Sequence, residues 1–307
     1  MSSSKLKRFD IVYENSHLLA GQKLIGQVVV ELVQPLKVKR IELNIDGLSL
    51  TEWEETKHRQ NRTKYIPYIG KEVYLECCCL LWQEEERGKG YLVEGTHLFD
   101  FKVDVPANAA SDFWHRKCSV SYIVKSTIVR SGWKSNITSE SPFYVTGLLD
   151  LNLVRNISPE PVTFTSESEG VILELTIPST GFLPGQTIPL KLVLKNQGSK
   201  KTKAILASFM QNLILRALKR GEPDGKLKER FYEEEIEIYS LNLDKSMPHP
   251  YQEISWDITL PKVALTLLGR PFLEITYFLV FKVDISGWIS DDIQMSIPIT
   301  IGSVPFR

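Results

Sequence analysis

The fold is decided by one stretch that occurs twice, first as Tyr122–Ile128 (YIVKSTI) and then as Tyr277–Val283 (YFLVFKV). Ser-Gly-Trp follows each copy, at 131–133 and at 286–288, so the copies lie 155 residues apart. In both copies apolar residues recur at alternate positions, which is the period of a half-buried β-strand. The stretch therefore predicts the same strand at equivalent places in two similar halves.

An earlier part of the chain repeats at an offset of 164 residues. Gly21-Gln22 precedes one strand pattern and Gly185-Gln186 precedes another. At the same offset, Lys37, Lys39 and Ile41 return as Lys201, Lys203 and Ile205. Because 164 exceeds 155 by nine, the second copy is shorter in its middle, where charged, loop-like sequence lies at 51–71 and 219–235. Hairpin tips tolerate such differences in length.

The repeat predicts an all-β protein of two tandem immunoglobulin-like antiparallel β-sandwich domains, since many short strands with turn signals favour that class. Residues 204–218 could be read as a helix from composition, but their partner at 40–54 alternates as a strand, so we predict a strand. Pro159, Pro161 and the Ser/Glu-rich sequence around them are typical of a linker. We therefore expect domains at 1–150 and 169–307 with a linker at 151–168.

The composition excludes several classes of protein. Lys+Arg and Asp+Glu both number 37, and zero net charge argues against a nucleic-acid binder. The amino terminus has no apolar run long enough for a signal peptide, and no stretch approaches the ~20 apolar residues of a membrane span. We expect the four cysteines to be reduced thiols of a cytosolic protein.

Several motifs, in this order, resemble those of the arrestin family. Ser119–Lys125 (SVSYIVK), following a strand-end Pro106, resembles the Ser-x-x-Tyr-x-Val-Lys strand of the amino-terminal arrestin domain. Leu183–Gln186 (LPGQ) resembles the turn that opens the carboxy-terminal domain, and Ile275–Asp284 resembles a later strand of that domain. Ile299–Pro305 (ITIGSVP) is similar to the ending of α-arrestins, the arrestin domain-containing proteins. The loop before Tyr122 departs from the family pattern, which indicates a divergent member.

The resemblance implies a non-enzymatic cytosolic adaptor. It would bind cytoplasmic tails of membrane-protein cargo for endocytosis, endosomal sorting and protein transport, with peripheral association at the plasma membrane or endosomes. Many α-arrestins recruit WW-domain ubiquitin ligases through Pro-Pro-x-Tyr motifs, but this sequence has none and stops at Arg307, so a ligase link would need a tail beyond that residue. Two alternatives stay open: a retromer-like coat subunit, and a structural β-sandwich interaction protein, which glycosylation of Asn136 would favour.

Two basic clusters are candidate sites for acidic or phosphorylated cargo. Lys5, Lys7 and Arg8 precede or begin the first strand, and arrestins use basic residues near this strand to hold such tails. The second cluster consists of Lys37, Lys39 and Arg40. The alternative for both clusters is a solvated basic surface. We further propose that cargo adds a strand to the edge of the first strand.

Other candidate chemistry is sparse. Cys77, Cys78 and Cys79 could be acylated, but their apolar flanks favour a strand with two buried thiols and one exposed thiol. Gly88–Gly90 is too short for a phosphate loop and indicates a hairpin tip. The histidines lack metal-ligand spacing, so we expect no metal site, no cofactor and no catalytic centre.

Overall fold

The structure, a computed structural model, describes residues 5–59, 62–84, 90–168, 170–197, 202–243, 250–285 and 293–307. The chain forms two compact units. The first contains Met1–Leu148 and Ala217–Leu227, and the second contains Leu149–Arg216 and Lys228–Arg307.

The first unit is built from strands whose buried residues alternate with exposed ones. The strands are β1 Leu6–Tyr13, β2 His17–Leu19, β3 Lys23–Leu32, β4 Leu36–Lys37, β5 Arg40–Arg59, β6 Arg62–Gln83, β7 Tyr91–Leu92, β8 Gly95–Asp104, β9 Phe113–His115, β10 Cys118–Val129 and β11 Ile137–Thr146. One sheet has the order β1-β3-β8 and the other β6-β5-β10-β11-β2, with β9 on β10 and a small β4-β7 pair. Both sheets send fully buried side chains inward, Val28 and Val30 from β3 and Ile41, Leu43 and Ile45 from β5.

The second unit is also a pair of sheets. Its elements are a 3-10 helix at Leu151–Leu153 and strands β12 Val162–Ser168, β13 Val171–Ile177, β14 Gly181–Phe182, β15 Thr187–Asn196, β16 Thr202–Lys219, β17 Lys228–Asn242, β18 Tyr251–Thr259, β19 Leu273–Ile285 and β20 Ile293–Ile301. The sheet orders are β12-β13-β15-β18 and β14-β20-β19-β16, with β17 on β16. The core contains Val171, Leu173, Leu175 and Ile177 of β13, all fully buried. Both units confirm the predicted all-β class and the pair of β-sandwiches.

The strand pairing reproduces both offsets of the repeat. Ile128 of β10 lies opposite Ile41 of β5, and Val283 of β19 lies opposite Ile205 of β16. The first members of these pairs are 155 residues apart and the second members 164 residues apart, as the sequence predicts. The strand predicted at 204–218 is confirmed, because it forms most of β16.

The two equivalent tyrosines make the same contact in each unit. Tyr122 donates its hydroxyl hydrogen bond to the carbonyl of Ala110 over 2.6 Å, and Tyr277 donates to the carbonyl of Ala264 over 2.8 Å. Both rings are buried. A buried phenol needs a partner for its hydroxyl, so each tyrosine fixes its strand to a connection earlier in the same unit.

The Gly-Gln turns also repeat in atomic detail. The side-chain oxygen of Gln22 accepts from the backbone of Leu19, and that of Gln186 accepts from the backbone of Leu183, each over 2.8 Å. The preceding glycines have φ of 87° and 76°, a conformation that favours glycine, which explains why this dipeptide recurs.

The segment expected to be a linker holds regular structure at both ends. The 3-10 helix lies at Leu151–Leu153, and Val162–Ser168 is strand β12, paired with Val171–Ile177. Only 154–161, which includes both prolines, lacks helix and strand. The Ser/Glu-rich sequence resembles a linker because β12 exposes every second side chain.

Candidate functional site

Strand β1 forms an open sheet edge. It pairs with β3, and in the described part of the chain no other strand pairs with it. The backbone N–H of Glu14, next to β1, bonds to Ile25, so in the continuing register Asp10 and Val12 face β3. The N–H and C=O groups of Phe9, Ile11 and Tyr13 therefore point to the open side. An edge of this kind can accept an added strand.

The basic residues at the start of β1 already have partners. Lys7 Nζ lies 2.7 Å from Glu31 Oε1, and Arg8 Nε lies 2.7 Å from Asp10 Oδ2. Lys5 Nζ donates to the carbonyl of Pro35 over 3.1 Å. All the side chains in the two ion pairs are substantially solvated, and surface pairs of this kind contribute only about 0–1 kcal/mol. A ligand with a stronger negative charge can therefore displace these carboxylates at little cost.

The second predicted cluster lies on a different segment. Lys37 and Lys39 are exposed on either side of the buried Val38, so both side chains leave the same face of the chain. Neither lysine has an ion-pair partner among the described residues. Arg40 differs, because its Nε lies 2.5 Å from Glu42 Oε1. Lys37 and Lys39 could therefore bind an anionic group without breaking an ion pair among the described residues, whereas Arg40 is already paired with Glu42.

The cysteine run lies within β6, as predicted, but the expectation of two buried thiols is wrong. Cys77 and Cys79 are only half-buried, with their sulfurs 3.5 Å apart, and Cys78 is exposed. Burial, followed by the neighbouring Cys79, raises the pKa of the Cys77 thiol, which lowers its thiolate fraction. Cys78 is thus the most accessible of the three. Acylation of the run stays the less favoured of the two interpretations of the sequence.

A cysteine and a histidine lie close together in the first unit, but their setting does not suit catalysis. Cys118 Sγ lies 3.7 Å from His115 Nδ1, and both residues are buried. The Nδ1 atom also accepts from the backbone N–H of Lys117 over 3.2 Å. A base that is occupied in this way and closed to solvent has no route to a substrate.

Among the residues that the structure describes, no three His, Cys, Asp or Glu side chains gather to hold a metal ion. His249 and the Gly88–Lys89 part of the proposed hairpin tip lie outside the described residues. No helix in the described ranges is long and apolar enough to cross a membrane.

The second unit has an open groove that the sequence did not reveal. Its floor is formed by outward side chains of β16 and β19, including Met210 and Phe278, and its volume is about 580 Å³. Glu233 and Glu235 of β17 form one wall. The lining comes from strands far apart in the sequence, and the only local signal is the acidic run at 233–235.

Two family models match the chain and together span nearly all of it. The model described as "Arrestin (or S-antigen), N-terminal domain" matches residues 9–152, and the one described as "Arrestin (or S-antigen), C-terminal domain" matches residues 167–306. The matches cover the strands described above except the start of β1 and most of β12, and they define a two-domain arrestin fold.

Curated relatives narrow the class. Arrestin domain-containing protein 17 of Caenorhabditis elegans is 26% identical over 322 residues, covering 98% of this chain and 71% of the relative. Arrestin domain-containing protein 5 of Bos taurus is 22% identical, covering 98% of this chain and 92% of the relative. Human arrestin domain-containing protein 1 is 23% identical over 205 residues, covering 64% of this chain and 44% of the relative, so this match spans less than half of that protein. The chain belongs to the arrestin family, as a divergent member of its α-arrestin branch of arrestin domain-containing proteins.

Proposed function

We propose that this protein is a non-enzymatic adaptor that binds cytoplasmic tails of membrane-protein cargo along the open edge of β1. Membership of the arrestin family supports an adaptor-like role. The observation that carries the proposed site is the sheet order β1-β3-β8, which leaves backbone groups of β1 unpaired beside basic side chains. Endocytosis and endosomal sorting, at the plasma membrane or endosomes, are the proposed setting.

The free energies expected from hydrogen bonds favour a phosphorylated or acidic tail. Four added backbone hydrogen bonds at about 1 kcal/mol each give about 4 kcal/mol, which corresponds to a Kd near 1 mM before any ordering cost. Two charge-assisted hydrogen bonds at about 1.5–3 kcal/mol each would bring the affinity toward the micromolar range. Backbone pairing aligns the tail with β1 and depends little on the sequence of the tail. The basic residues select tails that are acidic or phosphorylated.

The ion pairs at the start of β1 suit this selection. A phosphate carries a charge of about −1.5 to −2 and three acceptor oxygens, whereas Glu31 and Asp10 each offer a single charge. Lys7 and Arg8 would therefore exchange a carboxylate for a phosphate. This exchange favours phosphorylated tails over unmodified ones and weakens as salt increases.

The first test replaces Lys5, Lys7 and Arg8 together with alanine. Titration with a fluorescent phosphopeptide should show affinity lowered at least about a hundredfold, because two charge-assisted hydrogen bonds at about 1.5–3 kcal/mol each are lost. The salt dependence of the remaining binding should be flatter. The variant should fold normally, because exposed ion pairs contribute little to stability.

A matched triple variant controls for net charge. Lys23 and Lys102 are exposed cations of the same unit and Lys125 is a half-buried one. Lys23 and Lys125 are ion-paired to Asp104 and Glu140. Their replacement by alanine removes the same charge and should leave peptide affinity within about twofold. If the parent and the variant lacking Lys5, Lys7 and Arg8 bound the phosphopeptide equally at low salt, the proposed site would be wrong. The groove of the second unit would then be the next candidate.

A peptide series tests strand addition separately from charge. An N-methyl group on the peptide backbone blocks a ladder hydrogen bond only at a residue whose N–H faces β1. In an antiparallel or a parallel ladder, residues that face the neighbouring strand in this way alternate along the peptide. N-methylation at successive peptide positions should therefore weaken binding at every second position. Uniform tolerance along the peptide would exclude backbone pairing while leaving the charge contribution intact.

A further inference from the structure

A hairpin tip in the first unit places a tryptophan fully in solvent. The tip lies between β10, which ends at Val129, and β11, which begins at Ile137, and Trp133 within it is 106% exposed. Arg130 holds the base of the tip, since its Nε donates to the carbonyl of Ser135 over 2.7 Å. A large indole that packs on nothing in its own chain is a mark of an interaction site.

Three exposed lysines lie in or beside this tip. The backbone N–H of Lys39 bonds to the carbonyl of Val129 over 2.8 Å, which brings Lys37 and Lys39 beside the end of β10. Lys134 follows Trp133 and is exposed. None of these three lysines has an ion-pair partner among the described residues. Glu84, whose N–H bonds to the carbonyl of Lys39, is an acidic neighbour.

Exposed apolar side chains complete this surface. The backbone N–H of Val38 bonds to the carbonyl of Gly90 over 2.7 Å, so the chain around 90–93 borders the lysines. Tyr91 and Val93 in that stretch are 49% and 63% exposed. We call residues 36–39, 90–93 and 129–136 together the tryptophan end.

We propose that the tryptophan end docks on the surface of an anionic lipid bilayer. An indole sits favourably at the boundary of headgroups and acyl chains, and nearby lysines gain from the negative surface potential. The indole at the tip projects into solvent, and the three lysines of the tryptophan end are exposed. These features fit a flat, diffuse negative surface better than a single phosphate. This inference goes beyond tail binding at β1 and uses different residues.

The proposed test is co-sedimentation with vesicles of phosphatidylcholine alone or with phosphatidylserine. The chain should bind the phosphatidylserine vesicles and not the neutral ones. Changing both Lys37 and Lys39 to alanine should lower the partition coefficient about 25-fold, at about fivefold for each lysine near the surface. Trp133→Ala should lower it at least about tenfold, because the indole no longer buries apolar area.

Matched variants make the test specific. Trp114→Ala removes another indole, 80% exposed on β9, and should leave the partition coefficient unchanged. Alanine at the exposed Lys102 and Lys191 removes the same charge as the double lysine variant and should cost less than twofold. Inorganic phosphate at an ionic strength held constant should not compete, which separates a lipid surface from a free anion.

Some results would overturn the inference. These are absence of binding to anionic vesicles, equal loss with Trp114→Ala and Trp133→Ala, or full competition by phosphate. Peptide binding at β1 is measured without vesicles, so a failure of membrane docking and a failure of the proposed adaptor site are distinguishable.

Discussion

Replacing Tyr277 with phenylalanine tests how much the hydrogen bonds of this buried hydroxyl stabilise the second unit. The hydroxyl donates to the carbonyl of Ala264 over 2.8 Å and accepts from Gln211 Nε2 over 2.9 Å. The change keeps the ring and removes both bonds, leaving the buried Gln211 amide without this partner. An unsatisfied buried polar group costs about 1–3 kcal/mol, so we expect the second unit to lose about that much stability.

Urea denaturation followed by far-UV circular dichroism and by tryptophan fluorescence measures this loss. For a unit of this size, thermal unfolding should also shift downward by about 2–4 °C for each kcal/mol. The double variant Tyr277→Phe with Gln211→Leu should recover much of the loss, since removing both partners of a buried bond is close to neutral. A free energy of unfolding for Tyr277→Phe within about 0.5 kcal/mol of the parent would refute this reasoning.

Three further predictions concern both units. Gly47→Ala should destabilise the first unit by about 1–3 kcal/mol in urea titrations, because a Cβ there would lie 2.4 Å from the buried Tyr122 ring. Arg216→Met should cost about 1–3 kcal/mol by the same measurement, because it leaves the half-buried Glu274, 2.8 Å from the guanidinium, without that partner. Burial raises the pKa of Tyr277, so its contribution is complete below pH 10 and is lost above it. Stability curves from pH 8 to 11.5 should therefore fall less steeply above pH 10 for Tyr277→Phe than for the parent.

The fold was predictable because the repeat constrains pairing as well as periodicity. One offset holds over the Gly-Gln turn, and the other holds over the strands around Tyr122 and Tyr277. Both can be exact only if the strands of the two copies pair in the same register. The segment predicted as a linker contains a strand that composition does not indicate. Strand β12 exposes every second residue, and its exposed positions carry the Thr and Glu that composition assigns to a loop.

The candidate site was predictable only in part. The sequence located Lys7, but its partner Glu31 lies 24 residues away and becomes adjacent only through the β1–β3 register. The cysteine run was placed correctly on a strand. Its burial could not be foreseen, because it depends on what covers that part of β6.

Surfaces built from several strands were not accessible from sequence. The groove of the second unit collects side chains from four strands, and no local pattern brings Met210 beside Phe278. Likewise, the sequence shows Ser131–Trp133 only as a repeated motif. This motif lies near Lys37 and Lys39 only because the backbone of Lys39 is hydrogen-bonded to that of Val129.

Hydrogen exchange of β1 with and without a phosphorylated tail peptide tests the adaptor hypothesis most directly. If the peptide adds a strand to the open edge, the amides of Phe9, Ile11 and Tyr13 should gain protection on binding. The amides of Asp10 and Val12, which face β3, should change little. Peptide binding that leaves all five amides unchanged, or that protects the outward face of β16 instead, would contradict the proposed site.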